Sequence, residues 1–456
     1  MRIGLLPLGR ATFDVPFAED RLAAMLAVLD GTGHEVAGPR TLLFDGPAVA
    51  EAQAGMGPVD LLLLLQVTFT DAAATVAAAE AHAGPLAIWA VPEPRLGGRL
   101  RLNAFCGLNL ASHALGQAGR PFAWLYAEPH GAEDAVAELI AGSTRRPVPE
   151  PRPAEATEAG QALAARLSGR RIARIGAHPD GFSTCAYDPT ALARLAGVTV
   201  DEIALPTLFE TARQVAEPEA KALHRTAATL LADLETVDAG ELDRSLRLRA
   251  ALDRIRAERD YDAFALRCWP ETFTEYGGAV CGPVSMLGEA RVPCACEADV
   301  YGALSQLALQ EAAGAPVFLA DLVDMDEDDD TGVVWHCGQA PASMAHPAAP
   351  PRATIHTNRR MPLLFEFALK PGPVTFARIS QTRGGPRMVL AAGEMLDRPM
   401  AFTGTSGVVR FSRPVADVLP DLIACGLEHH MALAYGDHRP ALRGLAGALD
   451  LPVLEL

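Results

Sequence analysis

Five side chains in the second half of the chain have the types and the placement that metal-assisted proton chemistry needs. Glu297 lies in PCACEADV, where an extended apolar stretch gives way to a helix, and Asp321 ends the apolar run VFLAD. Carboxylates at the carboxyl ends of strands in an α/β sheet sit at the crevice where ligands bind. Taken singly, each has a plain structural alternative: Glu297 favours the first turn of the next helix, and Asp321 caps a turn. Taken together, they suggest ligands for a hard cation. His336 follows a short apolar strand in VVWHCGQAP, and His429 and His430 are adjacent in CGLEHHMALAYGDH. A lone His is more often a hydrogen-bonded structural residue than a ligand. A His pair beside a small-residue turn, in a chain with 12 His, is less ordinary. A neutral imidazole with two carboxylates suits Mn²⁺ and similar divalent ions.

Other motifs exclude competing chemistries. No G-x-G-x-x-G follows a strand, and no G-x-x-x-x-G-K-[ST] occurs, so nucleotide-binding signatures are absent. Gly404-Thr405-Ser406-Gly407 places its second Gly one position too early for a nucleophile elbow. The run Asp324, Asp326, Asp328 imitates a calcium loop but has Asp329 where Gly is needed and Trp335 where Glu is needed. It reads as a solvated loop. Cys294-Ala-Cys296 lacks the spacing of a zinc knuckle and reads as small buried residues. With eight cysteines spread over a chain that opens without a signal-peptide pattern, reduced thiols are expected rather than a disulfide framework.

These residues must be positioned by a large fold. The 456 residues predict about three domains or two large ones. Half the residues are hydrophobic and 21% are charged, enough for a substantial core. A net charge of −17 and no basic run argue against nucleic-acid or anionic-membrane partners. Leu22–Leu29 and Leu61–Leu65, the strongest apolar runs, fall far short of the roughly 20 residues that span a bilayer. A soluble, cytoplasmic protein is expected.

Residues 1–150 alternate short apolar strands (Arg2–Leu6, Leu61–Val67, Leu86–Val91, Phe122–Tyr126) with Ala-rich helices (Asp20–Leu29, Ala72–His82), the pattern of an open α/β sheet. The Pro-rich stretch Gly142–Gly160 reads as a linker. Residues 161–345 form a second α/β unit carrying the two carboxylates. It has strands at Arg171–Gly176, Ala263–Cys268 and Val317–Leu322, helices at Pro189–Ala196 and Val300–Glu311, and a helical region Ala220–Asp260 broken near Ala239-Gly240. Residues 350–456 change texture to short strands between Pro and Gly turns (Leu363–Leu369, Val374–Ile379, Met388–Ala392, Val408–Phe411), a β-rich unit that ends in helices at Pro414–Ile423 and Pro440–Ala448 and carries the His pair.

Four segments taken in order, ALRCWPETF (265–273), VPCACEADVYGAL (292–304), PVFLADLVDMD (316–326) and VVWHCGQAP (333–341), resemble the L-fucose isomerase family, whose plan the arabinose isomerases share. The opening MRIGLLPLGRATFD and the late HHMALAYGDH are similar as well. The resemblance implies two stacked Rossmann-like α/β domains followed by a barrel-like β-rich domain. It implies a Mn²⁺-dependent (or other divalent-metal-dependent) aldose–ketose isomerase of an open-chain sugar, acting through an enediol, and a homo-oligomer with its pocket near a subunit boundary. Its metal ligands fall on Glu297, Asp321 and one of the His pair, His430 being favoured and His429 its neighbour in the substrate pocket. Glu297 and Asp321 then also move protons. Arg10, after the first strand, and Trp269 take substrate-binding roles, against the alternatives of a surface charge and a core aromatic. His336 is a pocket donor or supports a ligand. L-fucose, D-arabinose, other deoxy-sugars and an acidic sugar derivative all remain open as substrate. A non-catalytic sugar-binding protein, or a metal-dependent epimerase or aldolase, is the alternative on the same scaffold.

Overall fold

The structure, a computed structural model, describes residues 1–143 and 147–456; residues 144–146, inside the segment read as a linker, lie outside the described residues. Its first unit is a parallel sheet of β1 (Arg2–Leu8), β2 (Glu35–Ala37), β3 (Leu61–Gln66), β4 (Leu86–Ala90) and β5 (Ala123–Tyr126), in the order β2-β1-β3-β4-β5. β3, LLLLLQ, is buried at every residue. A strand covered by helices on both faces needs such a run. The helix after β1 runs Val15–Gly31 and starts five residues before the apolar pattern does. Its start is set by Asp14, whose side chain accepts from the Phe17 N–H, and by Pro16 in the first turn.

The second unit is a parallel sheet of β6 (Arg171–Ile175), β7 (Thr199–Ile203), β8 (Ala263–Leu266) and β9 (Cys294–Ala295), in the order β7-β6-β8-β9. The long helical region divides into Glu217–Leu230 and Ala239–Arg259. Asp238 caps the second helix, so the break precedes Ala239-Gly240. Helix Val300–Ala313 follows β9 and is capped by Asp299, which accepts from the Gly302 N–H at 2.8 Å.

The third unit comprises β10 (Phe318–Asp326), β11 (Thr331–His336), β12 (Arg352–Thr354), β13 (Leu364–Ala368), β14 (Gly372–Ser380), β15 (Arg387–Met395), β16 (Thr405–Phe411), β17 (His430–Tyr435) and β18 (Val453–Glu455). The ring β16-β11-β10-β17-β14-β15 closes on itself through β15–β16 pairing, giving a six-stranded barrel. Closure leaves its strands without open edges.

Two readings of the sequence change here. The strand carrying Asp321 runs antiparallel between β11 and β17 of the barrel, not in the parallel sheet of the second unit. A strand buried on both faces has the same composition in either setting, so its partners are invisible in its residues. Asp324 is not in a solvated loop: it is 2% exposed inside β10 and holds Arg95 and the Tyr126 hydroxyl. Among the described residues no helix is long and apolar enough to cross a membrane.

Candidate active site

The site forms where the carboxyl end of the second sheet meets the barrel. β9 ends in a short turn, Cys296–Ala298, in which Glu297 (φ 59°, ψ 24°) and Ala298 (φ 56°) are both left-handed. That conformation costs a non-Gly residue about 1–3 kcal/mol and persists where surroundings impose it. Here it aims the Glu297 carboxylate into a cavity, where Oε1 accepts from Trp269 Nε1 and Oε2 from His429 Nε2, both at 3.0 Å. Burial alone would raise its pKa. The His429 hydrogen bond and charge and the Trp269 N–H outweigh that and hold it below the usual carboxylate range.

Asp321 and His430 face each other across the β10–β17 pairing. His430 is fully buried. Its Nδ1 is 2.9 Å from Asp299 Oδ2, so the carboxylate fixes the Nδ1 proton and leaves a lone pair on Nε2. That lone pair faces Asp321 Oδ1 at 3.3 Å and Glu297 Oε2 at 3.8 Å. Among the described residues neither His430 Nε2 nor Asp321 Oδ1 has a hydrogen-bond partner. A buried lone pair facing carboxylate oxygens repels them unless a cation stands between, and two sets of side chains that share His430 are each compact enough for one ion: Asp321, His336 and His430, and Cys185, Glu297, His429 and His430. The N/O donor set fits Mn²⁺ and similar ions.

Asp299 is held in turn by Arg378 of β14, a buried guanidinium that donates to both its oxygens. This pairing, with the His430 contact, overrides burial and lowers the Asp299 pKa. His336 stacks on the His430 ring, centroids 5.7 Å apart. Its Nδ1 accepts from the Cys337 N–H at 2.9 Å, which in the neutral ring puts the proton on the unpartnered Nε2 and makes it a donor toward the cavity. Cys268 and Cys296 are joined by a disulfide, contrary to the expectation of reduced thiols; it ties together the segments that carry Trp269 and Glu297. Spacing along the chain hid a pair whose Cα atoms lie 5.8 Å apart at the ends of adjacent parallel strands.

One cavity is lined by Arg10, Trp269, Glu297, Asp321, His336 and His429, with His430 behind its wall. All seven residues singled out in the sequence are thus brought together. Asp299, Arg378 and Arg359 were not foreseen. Asp299 precedes a helix that it caps, a common role that draws no attention to it. An Arg inside the apolar strand VTFARIS was a usable signal. Arg359 sits in a loop and offered none.

The matching family models agree with this architecture. The model described as fucose/sulfoquinovose isomerase, N-terminal domain, matches residues 4–143, and the one described as L-fucose isomerase, C-terminal domain, matches residues 334–456. The chain belongs to the fucose isomerase family. It is 32% identical to the sulfoquinovose isomerase of Alkalicoccus urumqiensis, over 99% of this chain and 98% of that one. It is 32% identical to that of Priestia megaterium (98% and 97%) and 30% identical to that of a Clostridium strain, MSTE9 (99% and 98%). This fucose isomerase family member is a sugar isomerase that interconverts an aldose and a ketose.

Proposed function

We propose that the chain isomerises sulfoquinovose, the sugar named for its relatives, with a divalent ion, Mn²⁺ first, held by Glu297, Asp321 and His430. The observation that carries the metal reading is His430 Nε2, the ring nitrogen opposite the one Asp299 holds, aimed at two carboxylates in a buried place. When bound, the ion supplies positive charge that polarises the sugar carbonyl. The chain's own residues do the rest. Glu297, ionised and lining the cavity, takes the proton from C2 of the open-chain aldose and returns it at C1. Asp321 carries the hydroxyl proton between the two oxygens. His429 and Trp269 fix the Glu297 carboxylate, and His336 Nε2–H donates to a sugar hydroxyl. Arg10 and Trp269 line the substrate's path.

The reading includes a homo-oligomer in the cytoplasm. Family membership supports the first, and six free, buried thiols among the described residues, set against the single Cys268–Cys296 disulfide, support the second. The deciding experiment strips the protein with chelator, measures ketose formed from sulfoquinovose, and adds back metals singly. Restoration by Mn²⁺ with about one ion bound per chain is expected. Full activity in metal-free protein would end the metal reading, and binding of sugar without ketose would favour a non-catalytic protein.

A further inference from the structure

The cavity is lined by cations as well as by the carboxylates used by this chemistry. The carboxylates lining it are Glu297 and Asp321, and the guanidiniums lining it are Arg10 and Arg359. The Arg10 Cζ lies 5.2 Å from the Trp269 ring centroid and the Arg359 Cζ 5.6 Å from it, so two cations converge on one indole. Arg10 is partly neutralised by Asp71, Nη2 to Oδ2 at 3.3 Å. Arg359 has no carboxylate within ion-pair distance among the described residues; its guanidinium contact is the Trp269 ring. Burial and the charge of Arg10 both lower its pKa. A protein of net charge −17 has carboxylates to spare, yet places none against Arg359.

From this geometry we infer that Arg359, with Arg10, is the receptor for a singly charged anionic group at the end of the sugar remote from Glu297 and Asp321. The claim rests on the sulfoquinovose reading and assigns its specificity. Two guanidiniums and the Asp71 carboxylate leave one uncompensated positive charge, which matches a sulfonate and falls short of a phosphate dianion. A planar guanidinium fork also suits the paired oxygens of a sulfonate.

The test compares kcat/KM for sulfoquinovose, glucose 6-phosphate and the neutral 6-deoxyglucose in the wild type, Arg359→Gln and Arg359→Lys, with competition by ethanesulfonate followed calorimetrically. In the wild type the sulfonated sugar should be preferred over both others. In Arg359→Gln that preference over 6-deoxyglucose should fall about 10²-fold, the scale for unpairing a desolvated charge, with ethanesulfonate binding lost. Arg359→Lys should recover part of both. If the wild type prefers the sulfonate and Arg359→Gln keeps the same preference, the receptor is elsewhere while the substrate reading stands. An equal loss on all three sugars would make Arg359 structural and overturn the receptor. A wild type indifferent between the sulfonated and neutral sugars would overturn the substrate reading itself, and one that prefers the phosphate would overturn the single-charge argument.

Discussion

The two ends of the cavity are built differently. At one end, Glu297, Asp321 and His430 stand on or beside strands β9, β10 and β17, and each is held by further buried groups: Trp269 and His429 on Glu297, Asp299 and Arg378 behind His430. At the other end, Arg10 follows β1 and Arg359 lies in the loop between β12 and β13. That loop is tied by Arg99, which donates to Asn358 Oδ1 at 2.9 Å and to the Thr12 carbonyl at 2.6 Å. The first end is anionic, buried and rigid. The second is cationic and mounted on loops. Reaction geometry must be held within a fraction of an ångström, whereas recognition of a charged tail tolerates adjustment. A substrate with an electropositive carbonyl carbon at one end and an anion at the other is oriented by that polarity alone.

The largest expected effect tests the rigidity of the first end. Arg378→Met strands the Asp299 charge in the core and should lower unfolding free energy by about 3–5 kcal/mol. Arg40→Met, which breaks an exposed pair with Asp30, should cost under about 1 kcal/mol. Denaturant titration of the two variants measures both. Similar losses would mean that the network behind His430 is not a preorganised shell.

Glu297→Gln should lower turnover about 10²-fold or more with the fold intact. The histidines then divide the roles. With Mn²⁺ at about 100 times its Kd, the wild type should gain about 2.7 kcal/mol of stability. His430→Gln should abolish that gain, and His429→Gln should retain most of it while losing turnover. A thermal shift that survives in His430→Gln and disappears in His429→Gln would reverse the assignment within the pair.

The contrast also explains what the sequence disclosed. Glu297 follows an apolar strand, and strand ends are where such folds place ligand-binding groups, so its place was visible in the sequence; Asp321 stands inside the nine-residue β10 rather than at a strand end, so it was singled out for a placement it does not have. What stayed hidden was pairing. Nothing in FLADLVDMD states that its neighbours are antiparallel barrel strands, and nothing in HMALAY states that His430 will stand opposite Asp321. The two α/β sheets and a β-rich last third followed from alternation and turn spacing; the barrel was only what the family resemblance implied, and β10 and β11 belong to it rather than to the second α/β unit. The cationic end was half visible: Arg10 follows a recognisable strand, whereas Arg359 is placed by a loop whose course depends on Arg99, 259 positions from Asn358.

Proton transfer and hydride shift separate in D₂O. With Glu297 lining the cavity as base, solvent deuterium should appear at C1 of the ketose and C2 of recovered aldose, read by NMR. Retention of all substrate hydrogen over many turnovers would take the base role from the carboxylates and leave them as ligands alone.

The smallest expected effect belongs to the loop end. Asn358 touches Arg99 through Oδ1, and Arg99 also holds the Thr12 carbonyl, so this one side chain links the two loops that carry Arg10 and Arg359. Asn358→Ala removes a partly buried hydrogen bond to a charged group, worth on the order of 1.5–3 kcal/mol where the group is left without a substitute. Arg99 keeps its second bond and reaches water, so the global stability change should stay near about 1 kcal/mol. The loss should instead appear as freedom of the 355–360 loop. KM for the sulfonated sugar should then rise about 3–10-fold with kcat nearly constant, because the reacting end is fixed by strands that do not include Asn358. Asn358→Asp keeps the acceptor oxygen for Arg99 and should restore KM. A fall in kcat equal to the rise in KM would show that disturbance of the loop reaches Glu297, and the mechanical independence of the two ends would be wrong.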